Sequence, residues 1–330
     1  MAVRISEIGE FGLIERIRKT AGKANRQVLL GIGDDACLFR VSEGQVGVAT
    51  VDTLVQGRHF DLGYTCYFDL GYKAMAANLS DIAAMGGKPL LALVSMTITG
   101  KQSVGDLDQL YRGMKTLASS HGTTIAGGDT VVGRELSVTI AVIGECIKGN
   151  AGLRSGARPG DAVLVTGTLG ASQAGLDLLN AKSKIKILKL LKKHLRPEPR
   201  IREARLLVSK FKLHGMIDIS DGLASELHHL ARESRVGIVI DQGALPVDPA
   251  AVAAAGMLGT DALKYCLESG EEYELLFSLP PRQALKARRL LNRSGCGCSI
   301  IGQAYRGGGV RMIGPGGGVK PLAGLGYRHF

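Results

Sequence analysis

A helix pattern that begins near Tyr67 contains a single acid among apolar and small residues, and this acid constrains the fold more than any other feature. The positions that share a face follow one another at intervals of three and four residues: Leu70, Ala74, Ala77, Asp81 and Met85. Because this spacing marks one side of a helix, Asp81 lies on or beside the side expected to be buried. A buried carboxylate needs a hydrogen bond, a salt bridge or a metal ion. Lys73, two turns earlier, is one candidate partner.

The length and the composition indicate a soluble globular protein. The 330 residues are enough for two domains with separate hydrophobic cores. No apolar run approaches the roughly 20 residues that a membrane-spanning helix needs. The first residues, M-A-V-R-I-S-E, reach an acid before an apolar stretch can form, which is not the pattern of a signal peptide. We therefore expect a cytoplasmic protein without a membrane partner.

The net charge of +11 favours anionic partners. Part of the surplus is concentrated in one segment that contains six lysines: Lys182, Lys184, Lys186, Lys189, Lys192 and Lys193. An apolar stripe beneath them (Ile185, Leu188, Leu191 and Leu195) favours a solvated helix face over a binding patch. The sequence has no tryptophan and few other aromatic residues, so stacking platforms for nucleic acid are scarce. We expect no nucleic-acid partner.

Helix and strand patterns alternate along the chain and indicate two α+β halves. Strands are expected at 28–30, 45–55, 90–98, 135–146, 162–165, 237–240, 274–279 and 299–304. Helices are expected at 7–20, 106–120, 171–179, 184–195 and 200–211, besides the helix that contains Asp81. A passage rich in glycine, arginine and proline at 149–161 is the best domain boundary, and the glycine-rich stretch 307–318 suggests a hairpin.

Acidic residues recur next to glycine or at the ends of strand patterns. Five phrases contain them, namely G-I-G-D-D-A, A-T-V-D-T, L-S-D, A-G-G-D-T and D-I-S-D-G, with Asp34, Asp35, Asp52, Asp81, Asp129, Asp218 and Asp221. Carboxylates on backbone that can approach a ligand closely are suited to magnesium ions that also bind phosphate oxygens. Each phrase alone is also ordinary turn chemistry. Their repetition favours a shared magnesium and nucleotide site.

Three familiar nucleotide-binding motifs do not account for these phrases. The chain lacks G-x-x-x-x-G-K-[ST], which excludes a P-loop. The phrase at 31–36 fits a loose dinucleotide fingerprint, but extended chain rather than a helix is expected after it. The catalytic-loop and Asp-Phe-Gly phrases of protein kinases are also absent.

The order of the longer phrases resembles the thiamine-monophosphate kinase family. This family belongs to a superfamily with aminoimidazole ribonucleotide synthetase, selenophosphate synthetase and a hydrogenase-maturation protein. The resemblance runs from Ile8 to Phe330 and rests on G-I-G-D-D-A-C-L-F, V-D-T-L-V-Q-G-R-H-F, N-L-S-D-I-A-A-M-G-G-K-P, G-G-D-T, V-T-G-T-L-G, H-L-R-P-E-P-R, D-I-S-D-G-L, G-E-E-Y-E-L-L-F and the final G-Y-R-H-F.

The resemblance implies an α+β fold with two α/β-type domains. Residues 1–150 would form a domain that binds magnesium and ATP and pairs its mixed sheet with a second copy in a homodimer. Residues 151–330 would form a domain whose sheet is covered by helices and which completes the nucleotide and substrate cleft. The implied activity is ATP-dependent phosphorylation of thiamine monophosphate to thiamine diphosphate by direct in-line transfer, with several Mg²⁺ ions and without a general base.

The resemblance also implies roles for individual residues. The magnesium ligands would be Asp34, Thr50, Val51, Asp52, Asp81, Asp129, Asp218 and Asp221. ATP would contact Tyr111, Gly128, Asp129, Arg154 and Ser220, with Tyr111 packed on the adenine. The thiamine phosphate would contact His59, Glu271 and Tyr327. Tyr111 and His59 each have a simpler interpretation, as a core tyrosine and as a structural histidine, and Arg154 could be solvated.

Three positions depart from the usual pattern of the family, and two other functions stay open. Gln56, Arg58 and Glu272 replace Glu, Val and Asp, and we expect them near the acceptor pocket. A related ATP-dependent synthetase is one alternative, although no reactive cysteine precedes Gly31, as selenophosphate synthetase would require. The other is a basic nucleic-acid or scaffold protein, which salt-dependent duplex affinity without phosphoryl transfer would reveal.

Overall fold

The computed structural model describes residues 16–17, 19–20, 26–30, 38–181 and 187–327. These residues form two compact units. The N-terminal unit contains the described residues up to Ile82 together with Gly87–Lys148. The C-terminal unit contains Ala83–Gly86 and the residues from Gly149 onward.

The N-terminal unit is built on a four-stranded mixed sheet with the order β3, β6, β4, β5. β4 and β5 are parallel, whereas the β3–β6 and β4–β6 pairs are antiparallel. A separate antiparallel pair, β1 and β2, precedes this sheet. The elements are β1 (Val28–Leu30), β2 (Leu38–Phe39), β3 (Gln45–Val55), α1 (Tyr67–Ala84), β4 (Lys88–Ile98), α2 (Val104–Ser120), β5 (Thr124–Val132) and β6 (Ser137–Ile147).

Local sequence signals explain the two helices of this unit. α2 begins with a capping box, because Ser103 accepts a hydrogen bond from the backbone of Asp106 while Asp106 accepts one from the backbone of Ser103. On α1, Leu70, Ala74 and Ala77 are buried as their spacing predicts. Burial of this face holds α1 on the unit and fixes the orientation of Asp81 at its edge.

The C-terminal unit contains a seven-stranded mixed sheet and the helices that belong to the same unit. The strand order is β13, β12, β9, β11, β7, β10, β8, and only the β12–β9 pair is parallel. The strands are β7 (Ala162–Thr166), β8 (Gly215–Asp218), β9 (Gly237–Asp241), β10 (Leu275–Leu279), β11 (Cys298–Tyr305), β12 (Val310–Ile313) and β13 (Val319–Pro321).

The helices of this unit pack in two apolar clusters. α6 buries Leu223, Leu227 and Leu230 against the sheet, and α3 packs with α4, α7 and α8. The helices are α3 (Ala171–Asn180), α4 (Leu188–Leu195), α5 (Ile201–Lys210), α6 (Leu223–Ser234), α7 (Pro249–Leu258), α8 (Ala262–Glu268) and α9 (Pro281–Arg293). The expected α+β fold, with a mixed N-terminal sheet and a helix-covered C-terminal sheet, is confirmed, and the pairing of N-terminal sheets in a dimer stays a prediction.

The lysine-rich segment differs from its prediction. Residues 182–186 lie outside the described part of the chain, and α4 begins at Leu188. Leu188 is 74% exposed, whereas Leu190 and His194 are buried. Lys193 is drawn inward by the buried carboxylate of Glu274, 2.9 Å away. Because Lys193 lies in this buried ion pair, the expected solvated lysine face is wrong at Lys193.

Two further predictions concern the ends of the chain. Of the helix expected at 7–20, the structure describes 16–17 and 19–20, which are helical. The hairpin expected in the glycine-rich tail is confirmed, because β12 and β13 pair antiparallel and Arg311 opposes Pro321. None of the helices in the described ranges is long and apolar enough to cross a bilayer.

Candidate functional site

The side chains of β3 and α1 meet in two polar contacts within the N-terminal unit. The hydroxyl of Thr50 donates a hydrogen bond of 2.5 Å to the Asp81 carboxylate. The backbone N–H of Asp52 donates to the side-chain oxygen of Asn78, at 3.1 Å. Strand residues two apart share a face, and helix residues three apart also share one, so the two elements place these groups side by side. Thr50 is therefore an observed partner of Asp81.

The donor set on β3 and α1 suits a hard cation. It consists of the carboxylates of Asp52 and Asp81 with a hydroxyl and an amide oxygen, and magnesium prefers oxygen ligands. Within the described ranges, no three His, Cys, Asp or Glu side chains are close enough together to hold a metal ion by themselves. Magnesium usually takes one or two carboxylates together with waters and substrate phosphates, so the residues fit such an ion. Asp34 lies outside the described residues.

The structure does not bring Asp129 to this cluster within one chain. Asp52 opposes Ile140, which opposes Val94, which opposes Gly128, so the row crosses the sheet from one edge to the other. Three strand spacings correspond to about 14 Å. Asp129, one residue further, is exposed on the opposite face, because neighbouring strand residues point to opposite sides. Its role as a ligand stays a prediction.

The backbone at Gly128 leaves no room for a side chain. A Cβ atom there would lie 1.9 Å from the carbonyl oxygen of Val94 on β4. Real Cβ atoms do not approach backbone oxygens so closely, so any other residue would push β5 away from β4. The glycine of G-G-D-T is therefore required by strand packing, and its contact with ATP stays a prediction.

Tyr111 and His59 match their simpler interpretations in their local contacts. Tyr111 is buried on α2 with 3% of its surface exposed, and burial raises the pKa of its phenol. The Nδ1 atom of His59 accepts a hydrogen bond from the backbone N–H of Val55, at 3.1 Å, which places the ring proton on Nε2. Val51 is 61% exposed, and its side chain faces away from α1. The ligand contacts proposed for these residues stay predictions.

A second group of acids lies at the end of β8 in the C-terminal unit. Asp218 ends the strand and is buried, and the backbone N–H of Asp221 donates to the carboxylate of Glu226 on α6, at 3.2 Å. Burial and the negative charge of Asp218 raise the pKa of Glu226 to about 8, while the charge of Arg154 opposes this rise. Burial is the largest cause of the raised pKa, and the nearby carboxylates of Asp218 and Asp221 add to it.

The predicted acceptor residue Glu271 lies beside the same loop in a rare backbone conformation. Glu271 and Tyr273 have φ values of 58° and 51°. Each such residue costs about 1–3 kcal/mol, and surrounding contacts must hold it. The N–H of Glu271 donates to the carbonyl of Ser220 at 2.7 Å, and the N–H of Tyr273 donates to that of Ile219 at 2.8 Å. Nδ1 of His194 lies 3.5 Å from the Glu271 carboxylate.

Glu272, between Glu271 and Tyr273 in the sequence, supports the start of helix α3. Its side chain is fully buried, and one oxygen accepts hydrogen bonds from the N–H groups of Gly170 and Ser172 and from the hydroxyl of Ser269, at 2.9, 3.0 and 2.6 Å. These contacts cap the N-terminus of α3. Glu272 therefore has a structural role, and its expected place near the acceptor pocket stays a prediction. Burial raises the pKa of its carboxyl group.

Glu274 is held by a buried network of cations. Nζ of Lys193 lies 2.9 Å from its carboxylate, and Arg200 donates to both carboxylate oxygens at 2.6 and 2.5 Å. The hydroxyl of Thr166 adds a fourth contact at 2.7 Å. Burial alone would raise the pKa of Glu274, but Lys193 and Arg200 lower it to about 2. The phrases H-L-R-P-E-P-R and G-E-E-Y-E are thus joined by ion pairs.

The third predicted acceptor residue, Tyr327, borders a cavity in the C-terminal unit. The residue is 40% exposed, and its backbone N–H donates to the carbonyl of Asp221 at 3.0 Å. The cavity has a volume of about 340 Å³, and its lining is polar: Asp221, Ser225, His228, His229, Arg232, Gly324, Gly326 and Tyr327. Tyr327 and Asp221, which are far apart in the chain, therefore border the same space.

Comparison with known proteins identifies the family. Residues 33–146 match the AIR synthase related protein, N-terminal domain, and residues 158–314 match the corresponding C-terminal domain. The thiamine-monophosphate kinase of Bacillus subtilis strain 168 is 42% identical over 81% of this chain and 82% of its own length. The chain belongs to the thiamine-monophosphate kinase family.

Solved structures of this family have the same architecture. The thiamine-monophosphate kinase of Stenotrophomonas maltophilia K279a matches 94% of this chain and 97% of its own with 33% identity and a TM-score of 0.82. AaThiL complexed with AMPPCP and TMP matches 100% of both chains with 30% identity and a TM-score of 0.77. The described residues therefore have the fold of thiamine-monophosphate kinases in both units.

Three residues of this thiamine-monophosphate kinase homologue were missed by sequence reasoning. Asn78 stands one helical turn before Asp81, and this spacing could have identified it. Glu226 stands in the first turn of the helix after D-I-S-D-G, where an acid is usually assigned only to the helix dipole. His228 carries no local signal, because its partner, the carbonyl of Leu322, is remote in sequence.

Proposed function

We propose that this chain transfers the γ-phosphoryl group of ATP directly to the phosphate of thiamine monophosphate and releases thiamine diphosphate and ADP. The observation that supports this most strongly is the end-to-end match with AaThiL complexed with AMPPCP and TMP. The two groups of acids described above, one on β3 and α1 and one at the end of β8, agree with a reaction between two polyanions, because such a reaction requires cations.

The proposed magnesium ligands come from both halves of the chain. They are Asp34, Thr50, Val51, Asp52, Asp81 and Asp129 in the N-terminal half and Asp218 and Asp221 in the C-terminal half. Bound Mg²⁺ ions would neutralise the phosphate charge and hold the attacking and leaving oxygens in line. The hydrogen bond from Thr50 orients the carboxylate of Asp81 before an ion arrives, which reduces the conformational freedom lost on binding.

No side chain has to act as a general base in this reaction. A phosphate monoester has its second pKa near about 6, so the acceptor oxygen is already ionised at neutral pH. The chain then has two tasks, which are to bind two polyanions and to orient them. This agrees with a site rich in carboxylates, glycines and polar backbone. Among the described residues, His194 is the buried histidine that lies beside Glu271.

The remaining predicted residues would bind the two substrates. Tyr111, Gly128, Asp129, Arg154 and Ser220 are proposed for ATP, and His59, Glu271 and Tyr327 for thiamine monophosphate. Arg154 is exposed, and a planar guanidinium group suits phosphate oxygens. Glu271 carries a negative charge beside the Ser220 loop, which suits a thiazolium cation. Tyr327 supplies an aromatic ring at the border of the cavity.

A homodimer that pairs the N-terminal sheets is also part of the proposal. On the face opposite α1, Val51, Ala141 and Leu93 form one apolar row across three strands. Val51 is 61% exposed, and a second copy of the sheet would cover it. Residues 1–150 would then be the magnesium, ATP and dimerisation domain, and residues 151–330 would supply Asp218, Asp221 and the acceptor contacts. Sedimentation of a Val51→Lys variant as a monomer would support this arrangement.

One assay tests the activity. The protein is incubated with ATP, magnesium and thiamine monophosphate, and thiamine diphosphate and ADP are measured in equal amounts by chromatography. Free thiamine is the control acceptor, because it lacks the ionised phosphate that attacks. Product from free thiamine instead of thiamine monophosphate, or ADP without thiamine diphosphate, would contradict the proposal.

A further inference from the structure

The last described residues of the chain fold back over the N-terminal end of α6. The N–H of Leu322 donates to the carbonyl of Val310 at 2.9 Å, which continues the edge of the sheet. Nε2–H of His228, on α6, donates to the carbonyl of Leu322 at 2.8 Å. Five residues later, the N–H of Tyr327 donates to the carbonyl of Asp221 at 3.0 Å. The segment Leu322–Tyr327, here called the C-terminal strap, is thus fixed at both ends.

The approach of the strap to the Asp221 loop depends on a residue without a side chain. A Cβ atom on Gly326 would lie 2.5 Å from the carbonyl oxygen of Asp221 and 3.1 Å from Cβ of Ser225. The first distance is shorter than real Cβ atoms show, and its partner is backbone rather than a flexible side chain. Alanine at this position would therefore push the strap away from α6. The same carbonyl that Gly326 touches is the acceptor for the N–H of Tyr327.

His228 holds the other end in an equally defined way. The hydrogen bond to the carbonyl of Leu322 requires the proton on Nε2, which fixes both the tautomer and the orientation of the ring. The ring also packs against the strap, because a Cβ atom on Gly324 would lie 3.3 Å from its Cδ2 atom. His228 therefore contributes one hydrogen bond and one wall of the cavity bordered by Tyr327.

We propose that His228 and Gly326 are positioning residues that set the place of the Tyr327 ring at the acceptor pocket. They act through the strap and not by touching the reacting atoms. This role rests on the proposed function, because the contact between Tyr327 and the acceptor belongs to it. Asp221 also links two predicted roles. Its carboxylate is a proposed magnesium ligand, and its backbone carbonyl accepts the hydrogen bond from the N–H of Tyr327.

The test compares kinetics of four proteins: wild type, Gly326→Ala, His228→Ala and Gly316→Ala. Gly316 lies in the turn between β12 and β13, and a Cβ atom there meets nothing within 4 Å, so its variant is the matched control. We expect Gly326→Ala and His228→Ala to raise KM for thiamine monophosphate by about tenfold, because a displacement of about 1 Å is enough for such a loss. KM for ATP and the melting temperature stay at the wild-type values.

A conservative variant separates positioning from simple structural support. His228→Gln keeps an N–H donor at a similar reach, so we expect it to restore most of the acceptor KM that His228→Ala loses. Hydrogen exchange at the Tyr327 amide provides a second measurement, with faster exchange in Gly326→Ala and unchanged exchange in Gly316→Ala.

Several results would overturn the role of the strap. One is a KM for thiamine monophosphate that stays at the wild-type value in both Gly326→Ala and His228→Ala. Another is a lower kcat with higher KM values for both substrates, accompanied by a lower melting temperature. Failure of the proposed function is a different result, namely wild-type protein that neither binds thiamine monophosphate in calorimetry nor converts it. Binding without conversion would leave the strap testable through the dissociation constants of the same four proteins.

Discussion

Thr50 on β3 donates its side-chain hydrogen bond to Asp81 on α1, although 31 residues separate them. The contact satisfies a carboxylate at the edge of a buried helix face, where an unpaired charge would cost several kcal/mol. Helix α1, which carries this carboxylate near its C-terminal end, is held in place because its residues Leu70, Ala74 and Ala77 are buried. Rigid placement of an acid is what a magnesium ligand requires.

Replacement of Asp81 by asparagine should reduce turnover by about a hundredfold or more, because the loss of one metal ligand removes several kcal/mol of charge stabilisation. Asparagine preserves the shape of the side chain and can still accept the Thr50 hydrogen bond, so the protein should remain folded. Turnover of thiamine monophosphate at saturating magnesium and circular dichroism are the two measurements. Near-normal turnover in saturating magnesium would remove Asp81 from the site.

Loss of the Thr50 hydroxyl should change the magnesium dependence of the rate more than its ATP dependence. Thr50→Val removes the hydroxyl and keeps the shape, so the Asp81 carboxylate loses the group that orients it. We expect the magnesium concentration for half-maximal rate to rise about tenfold to a hundredfold, the usual effect of losing a group that orients a metal ligand. Thr50→Ser keeps the hydroxyl and is the control, with a magnesium dependence like that of wild type. Identical magnesium titrations for Val and Ser would show that the contact is only structural.

Gly128 and Gly127 provide a matched pair on β5. A Cβ atom on Gly128 meets the Val94 carbonyl at 1.9 Å, whereas on Gly127 it meets the flexible end of Leu93 at 3.2 Å. Gly128→Ala should therefore reduce the free energy of unfolding by about 1–3 kcal/mol, the usual cost of overpacking, and Gly127→Ala by less. Urea denaturation of the two variants measures this difference. Equal losses would mean that the β4–β5 spacing can relax.

Much of the fold followed from periodicity, because the burial of an element depends on its own residues. The spacing of Leu70, Ala74 and Ala77 predicted the buried face of α1, and the alternation at 135–146 predicted β6 (Ser137–Ile147). The lysine-rich segment shows where such reasoning ends. Lys193 pairs with Glu274, which lies 81 residues away in the sequence, and local hydrophobicity cannot reveal a partner so distant.

The sequence predicted that the acids of the candidate site lie together, and the structure agrees for some of them. Asp52 and Asp81 lie on the adjacent elements β3 and α1, and their role as magnesium ligands stays a prediction. Asp129 belongs to the same kind of phrase, yet the sheet places it at the other edge and on the other face. Strand order decides such distances, and strand order is not encoded in any local pattern.

Glu272 tests whether a departure from the family pattern changes specificity or stability. Glu272→Asp shortens the side chain by one methylene, so its carboxylate should no longer reach the N–H groups of both Gly170 and Ser172. We expect a loss of about 1 kcal/mol in unfolding free energy, similar to other losses of an N-terminal cap. KM for thiamine monophosphate should not change. A raised KM for thiamine monophosphate at unchanged stability would show that Glu272 contributes to the acceptor pocket.

The ion pairs of Glu274 predict how stability depends on pH. The pKa of Glu274 is lowered from 4.5 to about 2 in the folded chain, so its contribution is fully present above about pH 4.5 and is lost as the pH falls toward 2. Glu274→Gln leaves the buried charges of Lys193 and Arg200 without this partner, and we expect it to destabilise the protein by about 3–5 kcal/mol at pH 7.

Urea denaturation of wild type and Glu274→Gln between pH 7 and pH 3 measures this dependence. The difference in unfolding free energy should narrow as the pH falls below about 4.5, because the Glu274 carboxylate of the unfolded wild-type chain then takes up a proton, whereas the folded carboxylate stays ionised and the amide binds no proton in either state. Glu198→Gln, in the same H-L-R-P-E-P-R phrase, changes an exposed acid and is the control, with a curve parallel to that of wild type. A difference that stays constant across this range would show that the carboxylate of Glu274 does not titrate with folding, and that Lys193 and Arg200 do not hold it in its ionised form.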